Sequence, residues 1–200
     1  LMETSSKQVL EESNSNVRLQ VGTLNKVMIA LLIAEKISIG DITLDTQLIA
    51  SANAQGKEGA TIWLLQGEKM SIKDLLKATL IGNANDSTIV LAEYLGGSET
   101  ECVSLMNDRA KSLGMDNTYF TNVCGYNDTS QYSTAYDMGI LGCEILKYNF
   151  LYEIMSTYMD YLRDGSTELV NENYLTRTYD GLTGIKASHL GDDNYCIIAS

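Results

Sequence analysis

Strand-like residues lie at both ends of this 200-residue chain and a long helical stretch lies between them, an order that limits the folds open to it. Leu1-Met2-Glu3-Thr4 and Gln8-Val9-Leu10-Glu11 flank Ser5-Ser6-Lys7 and read as two short strands joined by a tight turn. At the other end, Gly184 to His189 and Tyr195 to Ala199 return to strand-like residues. No proline, Gly/Ser-rich linker or internal repeat divides the chain, and its length suits one sizeable core. The expectation is a single α+β domain over residues 1–200. One sheet is closed by sequence-distant strands, and an inserted all-α lobe takes up about 50–150.

The helices follow from periodicity. Leu24, Val27, Met28, Leu31 and Leu32 keep a 3.6 spacing, so Thr23 reads as the N-cap of a mostly buried helix over Leu24 to Lys36. Ser71-Ile72-Lys73-Asp74 opens a second helix, Leu75 to Leu80. A third, Ser87 to Leu95, stops at Gly96-Gly97, and a fourth, Glu99 to Leu113, stops at Gly114, each with glycine where a helix C-terminus favours it. Ser133 to Asp137 starts a fifth that runs to about Lys147.

Charge and cysteine usage narrow the function classes. With 14 Lys+Arg against 26 Asp+Glu the net charge is −12, which repels phosphate backbones and anionic lipid. Nucleic-acid and membrane-surface binding are therefore disfavoured. The longest apolar helical run, Val27 to Ala34, is far short of the roughly 20 residues that span a bilayer, and no basic leader opens the chain. Cys102, Cys124, Cys143 and Cys196 are widely separated and the lone histidine is His189, so a zinc site is poorly supported. Isolated, buried thiols are the expectation.

Three short motifs carry chemistry. Thr23-Leu24-Asn25-Lys26 places a hydroxyl at a helix start and an amine three residues on, one turn later on the same face, a spacing that suits a nucleophile and its base. Alone, a Thr before a helix is an ordinary cap. Lys26, however, occupies a first turn where the helix dipole disfavours a cation and a capping box would place Glu or Gln. Asn83-Ala84-Asn85 lies between two helices, where Asn85 or Asp86 could simply cap the third. Lys186-Ala187-Ser188 sits in a strand, where a lone Lys is ordinarily a solvated edge residue.

In this order the three resemble the set S-x-x-K, S-x-N and K-T-G of penicillin-binding proteins and β-lactamases. The resemblance extends to Gly59-Ala60-Thr61-Ile62-Trp63-Leu64, Gly67-Glu68-Lys69-Met70 and Leu75 to Ile81. It continues through Asn85-Asp86 with Val90 to Glu93, Leu113-Gly114-Met115, Phe120-Thr121-Asn122, Tyr132 to Ala135 with Asp137, and Asp180-Gly181 with Gly184-Ile185-Lys186 and Tyr195-Cys196. Over its whole length the chain is similar to the serine-type D-Ala-D-Ala carboxypeptidases, the low-molecular-weight penicillin-binding proteins.

That resemblance implies a β-lactamase/transpeptidase-like fold, an antiparallel sheet flanked by helices, with the cleft between sheet and helical lobe. It implies action outside the cytoplasmic membrane on peptidoglycan stem peptides, or capture of β-lactams, through an acyl-enzyme. No cofactor or metal is implied, and membrane association would come only through an anchor outside this chain. Family domains continue for one more strand and a helix beyond the position of Ser200, so the C-terminal end of the domain is expected to be missing here.

By resemblance, Thr23 is the nucleophile, Lys26 its base, and Asn83 stands at the second-motif hydroxyl position. Asn85, Lys186, Ala187 and Ser188 form the substrate-binding set. Each motif departs from the family pattern at a chemical group. Thr23 adds a methyl that stiffens χ1, Asn83 offers an amide that cannot relay a proton as a hydroxyl does, Ala187 lacks the Thr hydroxyl, and Ser188 adds a side chain in place of Gly. Val123-Cys124-Gly125-Tyr126 also departs from the usual P-H-G-L-like segment. An impaired carboxypeptidase and a non-catalytic binder of stem peptides or of a cell-wall partner are the two functional expectations.

Overall fold

A computed structural model of the chain describes residues 1–189, 191 and 195–200. Helix α1 (Lys26–Ser38) is its axle. Lys26 to Leu31, Ile33 and Ala34 are all buried, the signature of a helix that is apolar all round and lies inside the fold. At about 1.5–3 kcal/mol for each buried Val, Leu, Ile or Met side chain, this helix anchors the core. It packs against α2 (Ile72–Leu80), α3 (Asn85–Gly96), α4 (Glu99–Ser112) and α5 (Ala135–Ile145).

The caps follow the local sequence. Ser71 Oγ accepts from Asp74 N, Ser98 Oγ from Glu101 N and Thr134 Oγ1 from Asp137 N, each in the N-cap geometry that satisfies a free helical N–H. Helix α2 consequently begins at Ile72, three residues earlier than the periodicity suggests.

Antiparallel pairing occurs in three two-stranded ladders: β1 (Gln47–Ile49) with β2 (Lys69–Ser71), β3 (Met159–Leu162) with β4 (Thr167–Val170), and β5 (Ile185–His189) with β6 (Tyr195–Ala199). Short helices α6 (Tyr152–Ser156) and α7 (Leu175–Thr178) flank β3 and β4. β5 and β6 match the expected tail strands, with Lys186 opposite Ile198 and Ser188 opposite Cys196.

Several expectations need correction. The N-terminal pair is a single bridge, Met2↔Val9, supported by Glu3 N–H donating to Gln8 O and Leu10 N–H to Leu1 O. The Glu3 carboxylate collects Ser5 N–H and Ser6 N–H, which tightens the turn and leaves no length for a ladder. Among the described residues no ladder joins this hairpin to β6; an apolar groove of about 830 Å³, lined by Met2, Val9, Met138, Cys143 and Ile198, lies between them.

Thr23 is not an N-cap. It lies inside a 3₁₀ turn over Gly22–Asn25, with the α-helix starting only at Lys26. Asn85 and Asp86 do not cap α3 either: the N-cap is Ala84, with no side-chain cap bond. In both places the polar side chains are drawn into tertiary contacts, described below. No helix among the described residues is long and apolar enough to cross a membrane, and the four cysteines are free thiols, three of them buried.

Candidate active site

The site begins at the entrance to α1. Gly22 adopts φ +52, and the 3₁₀ turn that follows puts Thr23 beside β5. A loop braces this turn from behind: Asn25 Nδ2 donates to Asn122 O at 2.7 Å, and Asn122 Oδ1 accepts from Gly125 N at 2.7 Å and Tyr126 N at 2.9 Å. Gly125, at φ +83, lies so close that a Cβ there would meet Gly22 O at 2.4 Å and Thr23 Cα at 2.6 Å. Backbone rests on backbone, so the turn cannot retreat.

Lys26 is fully buried. Its Nζ donates to Asn83 O at 2.6 Å, Asn83 Oδ1 at 3.1 Å and Asn85 Oδ1 at 2.7 Å. Three acceptors around three N–H groups is the geometry of an ammonium. Burial, and after it the charge of Lys186, nevertheless push the Lys26 pKa down to about 7, against the opposing pull of Glu172 and Asp86. A proton can therefore leave this amine near neutral pH, and when it does one acceptor must turn away.

Asn83 is held at φ +53, a left-handed conformation that Asn tolerates better than most residues. This conformation lets both its carbonyl oxygens face Lys26 while Nδ2 donates to the Glu172 carboxylate at 3.3 Å. Asn85 is similarly divided: its Oδ1 faces Lys26, its Nδ2 donates to Glu58 O at 2.6 Å, and its backbone N–H donates to Ala60 O. Next to it the buried Asp86 carboxylate, in the first turn of α3 where the dipole favours an anion, accepts from Ile62 N, Leu64 N and Ser87 N. These contacts pin the 58–64 loop over the second motif.

From the far side β5 contributes the third motif. Lys186 is 1% exposed, its Nζ donates to Leu80 O at 3.3 Å, and burial pushes its pKa down to about 8. Ser188, equally buried, presents Oγ to Thr23 N–H at 2.9 Å. Ala187 lies between them, and strand alternation turns its methyl to the other face.

The first and second motifs thus meet directly through Lys26, Asn83 and Asn85, and the first and third through Thr23 and Ser188. Thr23 Oγ1 is buried without a hydrogen-bond partner among the described residues. Glu172 joins the site through Asn83 with no motif to announce it. Asn171 and Asn173 carry it, both buried and bonded to local backbone, and that N-E-N pattern after a strand-like run is the only trace it leaves in the sequence. Gly125 and the 58–60 carbonyls act through backbone, so the sequence displays these residues without their contacts.

An α+β fold in which a buried, lysine-bearing helix meets an asparagine loop and a lysine-bearing strand is that of the penicillin-binding proteins and transpeptidases. The match to the Streptomyces K15 DD-transpeptidase structure, with TM-score 0.86, 99% of this chain and 82% of that one covered, is a likeness of fold. The chain belongs to the D-alanyl-D-alanine carboxypeptidase family, whose family model matches residues 1–200.

Among its relatives, the D-alanyl-D-alanine carboxypeptidase DacF of Bacillus subtilis is 39% identical over 203 residues, covering 100% of this chain and 52% of the relative. DacC of Escherichia coli is 36% identical over 148 residues, covering 71% of this chain and 37% of the relative. Penicillin-binding protein 6B from Escherichia coli superposes with TM-score 0.91 at 25% identity, covering 99% of this chain and 64% of that one. The chain spans about half the length of the curated full-length relatives it matches.

Proposed function

We propose that this chain is the acyl-transfer portion of a D-alanyl-D-alanine carboxypeptidase that cuts the terminal residue from peptidoglycan stem peptides, outside the cytoplasmic membrane, and that β-lactams acylate it at Thr23. The observation that carries this reading is the buried Lys26 amine, one helical turn from the Thr23 hydroxyl and held by Asn83 and Asn85. A lysine kept fully buried in a chain with a net charge of −12 calls for a chemical reason.

In this reading the neutral Lys26 amine takes the Thr23 proton as Oγ1 attacks the penultimate D-Ala carbonyl, and the Thr23 N–H receives the developing oxyanion. The peptide C–N bond then breaks, the leaving D-Ala nitrogen takes a proton from the Lys26 ammonium, and water later hydrolyses the ester. Lys186 counters the substrate's terminal carboxylate and Asn85 orients its amide. Cefotaxime is bound in a related structure, penicillin-binding protein D2 from Listeria monocytogenes, 25% identical with TM-score 0.84, which supports the β-lactam half of the proposal.

A second reading, a binder without turnover, is favoured by one observation: Thr23 Oγ1 and Lys26 Nζ share no hydrogen bond, because the amine already faces three other acceptors. Intact-mass analysis after incubation with a penicillin decides between them. A covalent adduct that maps to Thr23 and is absent from Thr23→Ala supports the enzyme, and an unmodified mass at saturating penicillin supports the binder.

A further inference from the structure

In the acyl-transfer reading the Thr23 backbone N–H receives the developing oxyanion, and in this structure a side chain of the protein already accepts from it. Ser188 Oγ lies 2.9 Å from that nitrogen, on a strand held by five cross-strand pairs, in a residue 1% exposed. A glycine there, the family pattern, has no atom that could make this contact. Nor can the turn bearing Thr23 slide away from it, because Gly125 backs directly onto Gly22 and Thr23.

We propose that Ser188 is an internal occupant of the oxyanion donor, a side-chain brake on acyl transfer that an incoming carbonyl must displace. This rests on the acyl-transfer reading above. The chemistry sets its direction. A hydroxyl oxygen is a neutral acceptor, whereas the tetrahedral intermediate offers an anion, whose hydrogen bond from the same N–H is roughly twice as strong. Displacement is thus favoured as charge develops but not while the substrate is still a neutral carbonyl. The displaced hydroxyl remains buried, so it loses a donor without gaining water. The brake therefore acts on the acylation step and leaves reversible docking of the peptide largely unaffected.

Removing an oxyanion donor slows acyl-transfer enzymes by roughly 10²–10³-fold. Because an occupied donor can still be freed, the brake is smaller, on the order of tenfold. Ser188→Ala removes the hydroxyl while keeping the Cβ, and Ser188→Thr keeps a hydroxyl in reach. Two readouts test the assignment on the whole chain: the Thr23 amide resonance in a ¹⁵N–¹H spectrum without ligand, and the rate constant of penicillin acylation by time-resolved intact mass, separated from the dissociation constant of the reversible complex.

In Ser188→Ala the Thr23 amide proton should move upfield and the acylation rate constant should rise about tenfold, by more than the dissociation constant changes, while Ser188→Thr, which keeps an acceptor in reach, should hold the amide resonance near its wild-type position. An unmoved Thr23 amide in Ser188→Ala, or an adduct that forms at the wild-type rate, overturns the brake. Absence of any adduct in every variant, the double change Thr23→Ser with Ser188→Ala included, takes down the acyl-transfer reading and the brake with it, so the two failures are distinguishable.

Discussion

Replacing Lys26 with Met separates the cost of burying an amine from its chemistry, because Met keeps an unbranched chain only one atom shorter and removes the charge. Burial and the Lys186 charge move the folded-state pKa from the ordinary 10.5 to about 7. Above 10.5 the amine is neutral in both states. Between 10.5 and 7 the unfolded chain holds a proton that the folded chain does not, so native stability falls as pH falls through that window; below about 7 both states are protonated and the loss is complete. At about 1.4 kcal/mol for each pH unit and proton, the full interval corresponds to roughly 5 kcal/mol, of which about 3–4 kcal/mol falls between pH 7 and 10.

The substitution also has a pH-independent cost, since Asn83 O, Asn83 Oδ1 and Asn85 Oδ1 lose their donor, at about 1–3 kcal/mol for each acceptor left unpaired. The sign at a single pH is therefore not the test; the slope is. Urea unfolding of wild type and Lys26→Met at intervals from about pH 7 to 10 should show the wild type gaining on the variant by about 3–4 kcal/mol. Lys186, with its pKa near 8, adds a smaller rise to both profiles and cancels to first order in their difference. Parallel profiles would mean that the amine is protonated throughout in the folded state, and both the depressed pKa and the role of Lys26 as a base would fall.

Restoring the family motif residues with Thr23→Ser, Asn83→Ser, Ala187→Thr and Ser188→Gly together should raise the rate of fluorescent-penicillin labelling above wild type by more than Thr23→Ser alone, since groups acting as a unit are non-additive; a folded quadruple variant no faster than the single one would refute this. Asp86→Ala leaves three backbone N–H groups without an acceptor and should cost at least about 3 kcal/mol in urea unfolding, at about 1–3 kcal/mol for each, with Asp86→Asn costing less because one oxygen remains; a loss under about 1 kcal/mol would mean that water replaces the carboxylate. Gly125→Ala and Gly114→Ala both place a side chain at positive φ, but only at Gly125 is there backbone within 3 Å of the new Cβ. Gly114→Ala should cost about 1 kcal/mol and label normally with penicillin, and Gly125→Ala should cost several kcal/mol and abolish labelling; equal behaviour of the pair would remove the close approach from the account.

What the sequence discloses and what it withholds divides along physical lines. The long helices were legible because their apolar spacing and their caps are local; Ser71, Ser98 and Thr134 cap as such residues do. Tail strand β6 was legible because Tyr195, Ile197 and Ile198 favour strands, and β5 because Ile185 follows the Gly181 and Gly184 turn signals at a distance that lets it return antiparallel to β6. β1 to β4 were not, because three or four residues give no usable period and only alternate ones are buried. Thr23 failed as a cap because Gly22 and the backing of Gly125 fold the chain into a 3₁₀ turn, a tertiary effect with no local sign. The cationic first turn of α1, a breach of the local helix rules, pointed to the site. Glu172 and the Ser188 contact became visible only in three dimensions.

The contact between Thr23 and Ser188 spans 165 residues of chain, and that from Cys196 to Gln20 spans 176. Closing loops of that length comes late, since their entropy must be overcome before the contact returns anything. Helix α1 and the asparagine loop, only 57 residues apart at Lys26 and Asn83, can meet long before β5 arrives. In kinetic terms the cleft is the last part of the molecule to be assembled, and a partly folded chain carries a half-site with a lysine and two amides but no facing strand. Substitutions in β5 should accordingly speed unfolding while leaving the folding rate nearly unchanged, and a slowed folding limb for Ser188→Ala in a urea chevron would contradict that order of events.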